Sequence, residues 1–214
     1  MQVVSLNVGT PREIAWRGRV VTTGIFKDPV TDVRAVRRFN IDGDGQADLT
    51  VHGGKDKAIY AYPSEHYDYW RKQWPRDDYP WGLFGENLST DGLLEDVVCI
   101  GDEFRVGTTR LVVTQPRMPC FKLGIRFGDP QIIERFLRSR RSGIYFGIVE
   151  EGRIGPGDSI ELVGTDPRRM SVAEVLDLIL DSSPSESRLR RALSVPALAD
   201  DWQKEFTKQL DEVQ

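Results

Sequence analysis

Glycine, proline and aspartate punctuate the N-terminal third of the chain so closely that only short strands fit between them. Val3–Val8, Arg19–Gly24 and Val33–Phe39 carry β-branched and apolar residues in alternation, the period of an extended chain. Ile59–Tyr62 follows the Gly53-Gly54 turn. Ile100–Val106 and Arg110–Thr114 flank Gly107 as a hairpin, and Ile144–Glu150 and Ser159–Val163 add two further strands. Many short strands joined by glycine turns argue for a mainly β fold, a barrel rather than a parallel α/β sheet. Short helices interrupt the pattern. Ser64 caps one whose Tyr67, Trp70 and Trp74 share a face, and Pro75 ends it. Asp129-Pro130 starts another, with Ile132, Ile133, Phe136 and Leu137 as its buried face and Gly143 at its end.

After Gly164 the period changes. Ser171-x-x-Glu174 is a capping box before Val172, Val175, Leu176 and Ile179. A break at Ser183-Pro184-Ser185 precedes a short helix over Arg188–Leu193. Pro196 opens a third helix, with Leu198, Trp202, Phe206 and Leu210 spaced by four. The chain therefore divides into a β-rich body, residues 1–165, and a three-helix segment, residues 166–214.

With 214 residues, 39% of them hydrophobic, the chain can bury a sizeable core. No apolar run approaches the roughly 18–20 residues of a membrane span. The N-terminus lacks the basic-then-apolar order of a signal peptide. Two cysteines, Cys99 and Cys120, cannot build a disulfide framework, so the expectation is a soluble protein of a reducing cytoplasm. The net charge is −4, yet from Arg105 to Arg141 nine Lys/Arg face two acids, Asp129 and Glu134. That excess suits an anionic ligand, or else a solvated basic helix. An acidic chain without a recognised binding motif excludes nucleic acid as the main partner.

Cys120 is the principal chemical candidate. It follows Pro116 and Pro119, which fix the local backbone, and Arg117 and Lys122 on either side favour the thiolate, the form that attacks or binds metal. Cys99, in Val97-Val98-Cys99-Ile100, is expected in the core. Val51-His52-Gly53-Gly54-Lys55-Asp56-Lys57 places two glycines beside a histidine and two lysines, a turn that can approach and neutralise an anion. Asp42-Gly43-Asp44-Gly45 begins like a calcium loop, but Ala47 and Gly53 stand where glycine and glutamate belong, leaving a polar turn. A zinc site would require the fold to bring Cys120, His52 and a carboxylate together. A hydrolase using Cys120 and His52 has no oxyanion hole in sight.

Four separated stretches, in order, resemble the MOSC domain, found at the C-terminus of molybdenum cofactor sulfurases. They are Gly24-Ile25-Phe26-Lys27-x-Pro29; Gly43 through Trp70, including Val51-His52-Gly53-Gly54-x-Asp56-Lys57-Ala58-x-Tyr60-Ala61-Tyr62-Pro63; Gly85-Glu86-Asn87-Leu88; and Gln115-Pro116-Arg117-x-Pro119-Cys120. The match runs from about Lys27 to Val163, and the C-terminal helices resemble the three-helix segment of one bacterial subgroup.

The resemblance implies a β-barrel that binds the molybdenum cofactor (molybdopterin), an anionic pterin phosphate carrying molybdenum on a dithiolene. Cys120 would be the thiolate ligand to molybdenum. Lys27, His52, Gly53, Gly54, Lys55, Lys57, Asn87 and Arg117 fall at positions that would contact the cofactor. The subgroup implies reduction of N-hydroxylated bases of the 6-N-hydroxylaminopurine type. The chain has no flavin or nicotinamide fingerprint and too few cysteines for an iron–sulfur cluster, so electrons would come from a separate reductase. The alternatives are a sulfur or cofactor carrier bearing a Cys120 persulfide, and a small-ligand barrel without catalysis. Monomer and homodimer both remain open.

Overall fold

The computed structural model describes residues 1–47 and 53–213, omitting the side chain of Val213. In chain order the strands are β1 (Gln2–Val8), β2 (Arg12–Trp16), β3 (Arg19–Thr23), β4 (Asp28–Val30), β5 (Arg34–Arg37), β6 (Asn40–Ile41), β7 (Ile59–Pro63), β8 (Leu88–Asp91), β9 (Glu103–Val106), β10 (Thr109–Pro116), β11 (Ile144–Glu150), β12 (Gly152–Ile154) and β13 (Ile160–Gly164). The helices are α1 (Glu65–Gln73), α2 (Phe121–Phe127), α3 (Gln131–Ser139), α4 (Val172–Ile179), α5 (Glu186–Leu193) and α6 (Asp200–Val213). Eight strands form one sheet in the order β13-β9-β10-β11-β7-β8-β1-β4, antiparallel throughout except for the β7–β8 pair.

The sheet curls toward a barrel without closing. β1 gives one edge to β8 and the other, over Leu6–Val8, to β4. Only its first residues can reach β13. They do so through the isolated Gln2–Ser159 bridge and the bonds Val3 N–H to Asp158 O and Ile160 N–H to Met1 O.

One core lies between the sheet and the C-terminal helices. Leu111, Val113 and Phe146 of the sheet share it with Val172, Val175, Leu189 and Phe206. The capping box of α4 forms as expected: Glu174 N–H donates to Ser171 Oγ at 3.1 Å and Ser171 N–H to Glu174 Oε2 at 2.8 Å. A second, aromatic core joins Tyr62, Tyr67, Trp70, Phe84 and Phe136. Glu86 is its polar staple. Buried completely, it accepts the Tyr67 hydroxyl, Gly82 N–H at 2.9 Å, Phe84 N–H at 3.0 Å and Ser89 Oγ–H at 2.8 Å.

Several local expectations are corrected. Ser64 occupies the first position before α1 but makes no side-chain cap: its backbone is helical rather than extended, and its Oγ–H donates to Glu65 Oε2 at 3.4 Å. α3 ends at Ser139, with Arg140 in the left-handed region, before Gly143 is reached. The last helix starts at Asp200, not Pro196, since Ala199 N–H is tied to Thr114 O of β10. Cys120 leads into a helix that the sequence pattern does not announce. α2 is too short for periodicity to show, and Gly124 within it lets α3 approach: a Cβ there would lie 3.1 Å from Pro130 Cα.

Candidate functional site

β10 carries the chain to Pro116, and the proline-bounded segment after it turns Arg117 and Cys120 into an open cleft of about 650 Å³, counting its mouth. Lys27, Gly53, Lys57, Asn87, Arg117 and Cys120, picked out from sequence, line this cleft together with Tyr60, Met118, Lys122 and Tyr145. Gly54 and Lys55 are not on its wall; Lys55 instead reaches Asp200 of α6 at 2.6 Å. His52, and with it any zinc or hydrolase pairing of His52 with Cys120, lies outside the described residues. Among those residues, no three His, Cys, Asp or Glu side chains gather as a metal site. Cys99 is buried, as expected, and the two cysteines form no disulfide.

Arg117 is the electrostatic centre. It is only 6% exposed, yet no carboxylate lies within ion-pair distance among the described residues. Its guanidinium sits over the rings of Tyr60, at 4.9 Å, and Phe136, at 5.3 Å. These quadrupoles stabilise a cation without neutralising it. Nη1 is buried with no hydrogen-bond partner among the described residues. Burial works against the Arg117 charge, but Tyr60, Tyr145 and Cys120 more than offset it, and its pKa rises from an already high value. Burial pushes the Tyr60 hydroxyl well above the usual tyrosine range, against the pull of Arg117, so it is neutral at pH 7 and donates to Ser142 O at 2.7 Å. Tyr145 is raised for the same first reason.

At the far end of the cleft Lys27 is paired with Asp44, whose side chain is wholly buried. Asp44 also accepts Gly9 N–H at 3.0 Å and Asn87 Nδ2 at 2.9 Å. Asn87 Oδ1 accepts Tyr60 N–H at 3.1 Å. Asp44 thus locks Lys27 and Asn87 to each other and to the strand bearing Tyr60. Asp44 lies in the stretch that fails as a calcium loop and within the second stretch resembling the MOSC domain, but neither marks it as a site residue. The spare signal was a carboxylate set between two glycines, Gly43 and Gly45.

Of the nine basic residues between Arg105 and Arg141, Arg117 and Lys122 face the cleft. Arg138 pairs with Glu134, Arg140 with Asp177, and Arg141 stacks on Tyr69. The arginines after residue 130 are therefore mostly a solvated surface of α3 and its end, while Arg105 and Arg110 lie on β9 and β10.

A cleft of this kind, with a thiol, an arginine whose charge no acid cancels and three lysines, on an incompletely closed barrel, defines a class. The profile described as MOSC domain matches residues 48–161, more than half the chain, and the chain belongs to that family. The MOSC domain is a molybdenum-cofactor-binding family domain. The profile described as YiiM-like, 3-alpha helix domain matches residues 170–212. The YflK protein of Bacillus subtilis (strain 168) is 39% identical over 209 residues, covering 98% of this chain and 94% of that protein. The crystal structure of YiiM from Geobacillus stearothermophilus superposes with a TM-score of 0.83 at 37% identity, covering 98% of each chain. A protein of Gibberella moniliformis (strain M3125 / FGSC 7600) named Reductase is 33% identical over 182 residues, 84% of this chain but 32% of that longer protein.

The residues present fit the group that the family implies. The unpartnered Arg117 N–H calls for an anionic acceptor, Lys122 adds positive charge while Lys27 and Lys57 are paired with Asp44 and Asp201, and Cys120 offers a soft sulfur donor on the same wall.

Proposed function

We propose that the protein is a molybdenum-cofactor-dependent reductase of N-hydroxylated compounds, acting on bases of the 6-N-hydroxylaminopurine type. The observation that carries this reading is Cys120 on the wall of a cleft whose buried Arg117 has an unanswered N–H. In the reaction the N–O bond of R–NHOH is broken; two electrons and two protons give R–NH₂ and water. The bound cofactor supplies the two-electron chemistry at its metal. The chain's own residues do the rest. Cys120 would ligate the metal, and Arg117, with Lys27, Lys57 and Lys122, would hold the anionic part. The neutral hydroxyls of Tyr60 and Tyr145 line the wall beside Arg117 without adding negative charge. Asn87 acts by fixing Tyr60 and, through Asp44, Lys27.

No helix among the described residues is long and apolar enough to cross a membrane. We place the protein in the cytoplasm, with a separate reductase as electron donor. The test is viologen-driven reduction of 6-N-hydroxylaminopurine by protein shown to contain molybdenum, wild type beside Cys120→Ala. Turnover in the wild type and none in the folded variant supports the reading. A molybdenum-loaded wild type without turnover overturns it and favours a carrier, which a reductant would reveal by releasing sulfide from Cys120.

A further inference from the structure

A second cleft opens on the other side of Cys120, between the body and α6. It shares Lys57, Met118, Cys120 and Tyr145 with the first, so these residues form a partition between the two. Its outer wall carries carboxylates, of which Asp201 pairs with Lys57 of the partition at 3.1 Å. Asp201, Glu205 and Gln209 recur at every fourth residue of α6 and therefore lie on one helix face, which lines this cleft. Gln209 Nε2 donates to Glu205 Oε1 at 3.1 Å, which fixes the amide's orientation. Its Oε1 is then buried with no hydrogen-bond partner among the described residues. Beside it Trp202, half-buried, is held by its Nε1–H donating to Gln115 Oε1 at 2.9 Å, while Gln115 Nε2 donates to Asp56 O at 3.2 Å. A fixed aromatic ring, a carboxylate and an unsatisfied amide oxygen make a preformed seat for a planar molecule rich in N–H donors.

We infer that this second cleft is the substrate seat, and that Glu205 and Gln209 select hydroxylamino compounds over acceptor-only N-oxides. The inference rests on the reductase reading above. An anionic cofactor suits the cleft of Arg117, whereas in the second cleft Asp201 is paired with Lys57 and Glu205 has no ion pair among the described residues, a charge that disfavours an anion there. A base bearing –NHOH and ring N–H groups satisfies Gln209 Oε1; an N-oxide offers only acceptors and leaves it orphaned. The two ligands would thus meet at Cys120 from opposite sides.

The test uses cofactor-loaded protein, wild type, Gln209→Leu and Glu205→Gln, with calorimetric titration by 6-N-hydroxylaminopurine and by pyridine N-oxide. Molybdenum content and KM against kcat are measured alongside. Expected is a Kd and KM for the purine about tenfold higher in each variant, from one lost hydrogen bond, with kcat and molybdenum unchanged. Pyridine N-oxide should bind the wild type more weakly than the purine and be indifferent to Gln209→Leu. Wild-type Kd and KM for the purine in both variants, with turnover intact, would overturn the second-cleft assignment and leave the reductase reading standing. Loss of molybdenum in the variants would also overturn it, by placing these residues on the cofactor side. Absence of purine turnover by molybdenum-containing wild type overturns the reductase reading, and this inference with it.

Discussion

Replacing Arg117 by methionine separates what this residue does for the ligand from what it does for the fold. Methionine keeps the unbranched stem between Tyr60 and Phe136 and removes the charge. For the fold, two effects oppose each other. The change abolishes two cation–π contacts, at 4.9 and 5.3 Å, worth about 0.5–2 kcal/mol each. It also abolishes a buried, unsatisfied Nη1, a defect costing about 1–3 kcal/mol. The net loss of stability should stay within about 3 kcal/mol, or roughly 12 °C of melting temperature for a chain of this size. For an anionic ligand nothing compensates: each charge-assisted hydrogen bond lost removes about 1.5–3 kcal/mol, roughly tenfold to 150-fold in affinity. The assay is molybdenum per chain after gel filtration, by mass spectrometry, with a calorimetric melt of the same sample. The expected outcome is a folded protein depleted of molybdenum. Wild-type molybdenum content in the variant would refute the assignment. A melting point lowered by far more than about 12 °C would show that Arg117 is chiefly a structural residue.

Other outcomes follow from the same geometry. Lys27→Met leaves Asp44 buried without its cation. It should destabilise the protein by about 3–5 kcal/mol, roughly 6–20 °C, as a denaturant or thermal melt will show; an unchanged melt would mean that Gly9 N–H and Asn87 suffice for Asp44. Burial opposes the charge of Glu174, but Ser171 N–H and the Arg191 guanidinium outweigh it, so its pKa is lowered from 4.5. A depressed carboxylate contributes stability above its unfolded pKa and loses it as pH falls through the folded value. The wild-type melt should therefore decline below about pH 4.5 more steeply than that of Glu174→Gln; parallel acid limbs would remove this carboxylate from the account.

The legible part of this molecule was local. Strand alternation, the capping box at Ser171 and the prolines around Arg117 are short-range signals, and each has a direct physical cause in the neighbouring residues. Arg117 and Cys120 stand out by type and setting, Lys27 and Asn87 only through the family resemblance, and all four lie around one cleft. What stayed hidden depends on partners far along the chain. Asp44 matters because Asn87 and Lys27 arrive beside it, 43 and 17 residues away. Trp202 reads as one more apolar residue of an amphipathic helix until its Nε1 meets Gln115, 87 residues earlier. The nine cations of residues 105–141 gave the opposite error, since sequence proximity to Cys120 did not predict which of them would face it. The open barrel likewise follows from β4 taking an edge of β1, a pairing no local pattern specifies.

The central claim is that Cys120 binds molybdenum within the arginine-bearing cleft. X-ray absorption at the molybdenum edge tests it most directly, on cofactor-loaded wild type and on Cys120→Ala. The account predicts one sulfur neighbour fewer around molybdenum in the variant, with the cofactor's own sulfurs still in place. An identical sulfur shell in the two proteins, each shown to be folded and loaded, would contradict it.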